Sequence, residues 1–64
     1  MNKFNKDDVV SHKTFGIGKV IDIISFTKIE VHFIDVDKKK LDINHAKLKV
    51  LTGEEAIHPK LDNL

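Results

Sequence analysis

Apolar and polar residues alternate most cleanly over Ile29–Phe33, where Ile29, Val31 and Phe33 fall on one side and Glu30 and His32 on the other. A period of two is the signature of a strand with one face buried. Weaker versions recur along the chain. Asp8–His12 is short and β-branched, with Val10 on the core side. Lys19–Ile24 is apolar at four positions without strict alternation, which predicts a strand that bends or is buried on parts of both faces. Lys39–Asp42 predicts a short fourth strand with Leu41 inward, and Lys47–Leu51 a fifth with Leu48 and Val50 on one face. Ile43–Ala46 between them has room for one helical turn. Ser25–Lys28 and Asp35–Lys38 read as tight connections. Residues 1–7 are polar apart from Met1 and Phe4 and predict a loose lead-in to a barrel over 8–51. Gly53 and Pro59 punctuate a tail over 52–64 that predicts at most one helical turn.

Between the first two strands lies His12-Lys-Thr-Phe-Gly-Ile-Gly18. Glycine reaches backbone angles that other residues avoid. Phe15, Gly16 and Gly18 therefore predict a structural turn, with the Phe15 ring folded over the core and His12 bonding back to the turn. The same glycines do not form a phosphate loop: the Gly-Lys-Ser/Thr of a P-loop and the third Gly of a dinucleotide fingerprint are missing.

Five short strands bounded by turns predict an all-β fold, a small five-stranded SH3-like (Tudor-like) barrel with a weakly structured C-terminal tail. Periodicity alone does not separate it from a truncated OB-fold. At 64 residues the chain forms a single domain. Such a domain buries only about 60% of its unfolded surface. With no Cys there is no disulfide or thiolate–metal staple. No apolar run reaches the ~20 residues of a membrane span, and the first residues lack the apolar core of a signal peptide. The expected compartment is the cytoplasm.

Charge narrows the candidate chemistry. Ten Lys against seven acids over residues 1–52 give +3, whereas the tail from Gly53 carries −2, and there is no Arg, the usual bidentate reader of phosphate and guanine. His12, His32, His45 and His58 are widely spaced, with no His-x-x-x-His, so no metal site is expected. Asp35 and Asp37 fall in a turn, where aspartates bond to their own backbone. No nucleophile pairs with a His and an acid. The chain therefore predicts neither an enzyme nor a cofactor. Without Trp or Tyr it cannot build a methyl-lysine cage.

The string Asp8-x-Val10-x-His12, Phe15-Gly-Ile-Gly18-x-Val20, Val31-x-Phe33, Lys39-Lys-Leu41 and Ala46-x-Leu48 resembles the Tudor-like barrel at the C-terminus of UvrD/PcrA-type DNA helicases. More loosely, it is similar to the RNA polymerase-interacting barrels of CarD and Mfd proteins. The likeness spans roughly residues 4–51. It departs at Asp7, where that family usually has Gly, and at Ile24–Thr27, which is shorter than the family's Gly-containing loop. The resemblance implies a non-catalytic docking module that binds bacterial RNA polymerase and ties a helicase or regulator to transcription and repair. On that reading Glu30, His32, Lys39 and Lys40 are the candidate partner-binding residues. The alternative is a nucleic-acid-binding barrel whose Lys13, Lys19, Lys28, Lys38, Lys39 and Lys40 follow a phosphate backbone.

Overall fold

In a computed structural model of the chain, residues 4–57 and 61 are described. Among them, five strands form one antiparallel sheet: β1 (Val9–His12), β2 (Gly16–Ile23), β3 (Lys28–Phe33), β4 (Lys38–Asp42) and β5 (Leu48–Leu51), followed by a 3-10 turn at Gly53–Ala56. Their order across the sheet is β4-β3-β2-β1-β5. The sheet curls round Phe4, Val10, Val20, Ile29, Val31 and Phe33, with Phe15, Ile23, Leu41, Ile43 and Leu48 packed against them. This is the small all-β, barrel-like domain that the strand periodicity predicts. Between β4 and β5, Asp42 O accepts N–H bonds from His45 and Ala46, closing the expected helical turn. Asp42 Oδ1 takes the Asn44 N–H at 2.8 Å and starts that turn.

The irregular apolar pattern of β2 has a specific cause. Val20 pairs with Val31, but the next pair is Asp22 with Glu30, so Ile21 is an extra residue in β2. A bulge of this kind bends its strand and strengthens the local twist. Here it lets Val20 and Ile23, three apart, both face the core.

The glycine corner differs from the sequence expectation. β2 already begins at Gly16, so Gly16 and Gly18 lie within the strand rather than in the turn. Only Gly16 has positive φ, at 86°. Gly18 is required for a different reason: a Cβ there would lie 2.7 Å from Val31 Cγ1, 2.8 Å from Phe33 Cδ1 and 2.9 Å from the His32 carbonyl oxygen. The turn itself is held by His12, whose Nδ1 accepts the N–H groups of Thr14 at 3.0 Å and Phe15 at 3.2 Å. Phe15 stacks on the His12 ring at 4.5 Å and leans on Phe33 at 5.3 Å.

The lead-in is not loose. Phe4 is 3% exposed and belongs to the core. Asp7 N–H donates to Val20 O, and Val20 N–H to Asp8 O, each at 2.8 Å. Asn5–Asp8 forms a four-residue turn closed by Asp8 N–H to Asn5 O, and the Asp8 carboxylate accepts Asn5 N–H. Asp7 occupies its third position with φ at 72°, where type II turns favour Gly. Asp tolerates this region better than most side chains do but still carries strain there. Asp7→Gly is therefore expected to raise stability by about 0.5–1 kcal/mol, and Asp7→Val to lower it by about 1–2 kcal/mol. Urea denaturation of the two variants checks this; a stabilising Asp7→Val would contradict the turn geometry. In the tail, Leu61 is 5% exposed, so that end also carries an anchored side chain. Pro59 lies outside the described residues.

Candidate docking surface

Alternation along β2, β3 and β4 sends every second side chain away from the core, and the strand register aligns these side chains into rows. Lys19, His32 and Lys38 form the first row. Asp22, Glu30 and Lys40 form the second. Lys28 pairs with Asp42, and Ile24 N–H bonds to Lys28 O, so Ile24, Lys28 and Asp42 make a third. The Ile21 bulge puts Asp22 level with Glu30; without it Ile21 would stand opposite Glu30 and Asp22 would turn inward.

This register divides the expected partner-binding residues. Glu30, His32 and Lys40 share the outer face. Lys39 does not, because it pairs with the fully buried Val31 and lies on the opposite side of β4. Its Nζ is 5.8 Å from the centre of the Phe15 ring, at the edge of the core. An exposed cation–π contact of this kind contributes about 0.5–1 kcal/mol.

The six lysines of the phosphate-tracking alternative are likewise dispersed. Lys19, Lys28, Lys38 and Lys40 lie on the outer face, Lys13 in the β1–β2 turn, and Lys39 over Phe15. The four outer lysines alternate with Asp22, Glu30 and Asp42, so the face as a whole is mixed in sign. Only its first row is wholly basic.

The histidines stay apart in role. His12 holds a turn, and His32 Nε2 lies 3.8 Å from the exposed carboxylate of Asp37, whose Oδ1 also accepts the Lys38 N–H at 2.8 Å. His45 is exposed at the β4–β5 turn, and His58 lies outside the described residues. Among the described residues no group of three or more His, Cys, Asp or Glu side chains is placed to hold a metal ion, and no helix is long and apolar enough to cross a membrane.

Sequence reasoning missed the apolar end of this face. Ile24 is 43% exposed and Phe26 74% exposed, both at the β2–β3 connection. The available signal was a phenylalanine inside a four-residue link that is otherwise polar. β4 and β5 form the two outer edges of the sheet, so β4 offers one side of its backbone to a partner strand beside the charged rows. Compared with known protein families and with curated proteins, the chain matches none.

Proposed function

We propose that this barrel is a non-catalytic protein–protein docking module, with bacterial RNA polymerase as its partner and the coupling of a helicase or regulator to transcription and repair as its role. The polymerase assignment rests on the family resemblance. The observation that carries the docking reading is the sequence of rows on the outer face: basic at Lys19–His32–Lys38, mainly acidic at Asp22–Glu30–Lys40, then mixed at Ile24–Lys28–Asp42. Charges that change sign over two residues along a strand favour a surface with a matching pattern and disfavour wrong partners. A phosphate backbone, uniformly negative, gains from the first row and is repelled by the second. The outer edge of β4, unpaired among the described residues, adds main-chain hydrogen-bonding groups for an extended segment of the partner.

The test exchanges charges without removing them. Glu30 and Lys40 face each other across β3 and β4. The double variant Glu30→Lys/Lys40→Glu keeps their mutual attraction but exchanges the positions of the two charges beside an unchanged Asp22, which alters the pattern presented to a partner. It is expected to melt within a few degrees of the wild type, because solvent-facing substitutions usually cost within about 0.5 kcal/mol. Binding to purified bacterial RNA polymerase is expected to weaken about tenfold or more. Titrations at two salt concentrations include duplex DNA. The basic first row favours a second reading, nucleic-acid binding. Tight DNA binding that falls steeply with salt, with no polymerase signal, would establish that reading in place of docking.

A further inference from the structure

The β2–β3 hairpin tip carries the largest apolar side chain exposed on the sheet. Phe26 is 74% exposed and Ile24 43%. An exposed phenylalanine on a floppy loop would need no explanation, but this tip is tightly organised. Ile24 N–H and Ser25 N–H both donate to Lys28 O, at 2.9 and 3.1 Å, and Lys28 N–H donates back to Ser25 O at 3.4 Å. Ser25 Oγ accepts Thr27 N–H at 3.4 Å. Thr27 O accepts the Ile43 N–H at 2.8 Å, which ties the tip to the β4–β5 turn. The ring is thus presented on a braced backbone, and little backbone entropy remains to be lost when it docks.

The tip also continues the charged face. Ile24 follows Asp22 on the outer side of β2, in the same row as Lys28 and Asp42. An apolar anchor bordered by charged rows has the anatomy of an interface centre and its rim. The bordering charges identify the occupant. Over the second and third rows together Asp22, Glu30 and Asp42 outnumber Lys28 and Lys40 by one, so the face behind the tip is slightly acidic and does not favour an anionic lipid surface or a phosphate backbone. A protein pocket with an apolar floor, and with basic groups opposite Asp22 and Glu30, is the complementary surface.

We infer that Phe26 and Ile24 form the energetic anchor of the docking face and insert into an apolar pocket on the partner protein, rimmed by basic side chains. This inference rests on the docking reading for its setting, but it concerns a different part of the surface and does not require the partner to be polymerase.

The experiment places a photo-crosslinking phenylalanine analogue at position 26, and separately at position 38 in the basic row, in the full chain expressed in bacterial cells. Adducts are identified by mass spectrometry. Position 26 is expected to yield one dominant protein adduct, with the crosslinked site lying in an apolar pocket. In a titration against that purified protein, Phe26→Ala is expected to bind roughly tenfold to a hundredfold more weakly. The melting temperature of Phe26→Ala should stay within a few degrees of the wild type, because the ring is exposed. An adduct with a protein other than polymerase retires the polymerase assignment and leaves the anchor standing. A protein adduct at position 38 with none at position 26 overturns the anchor while docking survives. Lipid adducts, crosslinks only between copies of this chain, no adduct at either position, or Phe26→Ala binding as tightly as the wild type each overturn the inference.

Discussion

Gly18→Val is expected to remove the folded state at room temperature, and Gly18→Ala to lower stability by about 1–3 kcal/mol or more. A Cβ at this position would lie under 3 Å from Val31 Cγ1, Phe33 Cδ1 and the His32 carbonyl oxygen. Val31 and Phe33 are fully buried and cannot swing away, and the carbonyl belongs to the β3 backbone. Relief requires β2 and β3 to separate at the Gly18–Phe33 pair, in the middle of the core. Valine adds two methyl groups to the same clash. A domain of this size has about 3–10 kcal/mol of stability, so a loss of that scale is decisive. Gly16→Ala is the control. Its φ of 86° costs an alanine about 1–2 kcal/mol, but its nearest added contact, Asp35 Oδ2, is an ordinary 3.8 Å away. Urea denaturation therefore ranks Gly18→Ala as the more damaging of the two. The reverse order would mean that backbone angle, not crowding, governs this corner.

Phe4→Ala is expected to destabilise by about 3–5 kcal/mol, the range for deleting a buried aromatic ring. The ring is 3% exposed and packs with Val10, Val20, Ile29, Val31 and Phe33. It is held there by the Asn5–Asp8 turn and by the two bonds joining Asp7 and Asp8 to Val20, which extend the sheet beyond the start of β1. Phe26→Ala serves as the reference, since it deletes the same ring from an exposed site. If the two variants melt alike, the lead-in contributes nothing to the core.

The strand pattern was legible in the sequence because local alternation specifies it. Ile29, Val31 and Phe33 are fully buried, while Glu30 and His32 face outward, as a period of two demands. His12 bonds back to its turn because its imidazole is three residues from the N–H it meets, a distance the chain fixes locally. The positive φ at Asp7 was not legible in this way: it belongs to the Asn5–Asp8 turn, which is bonded to Val20 twelve and more residues along the chain.

The remaining features depend on groups distant in sequence that meet only when the sheet closes. Gly18 and Phe33 are fifteen residues apart, and nothing near Gly18 announces that β3 lies against it. Phe4 looked solvated because its neighbours are polar, yet its burial depends on Val10, Val20, Ile29, Val31 and Phe33. Leu61 is buried in a tail whose composition suggests disorder. The docking face shows the division most plainly. Composition determined that its charges would be mixed. The bulge at Ile21 and the β3–β4 register decided which of them stand side by side: Asp22 beside Glu30 and Lys40, with Lys39 turned away toward Phe15. Side-chain parity along one strand is a local property, whereas the neighbour across the sheet is set by pairing, and one extra residue in β2 is enough to change it.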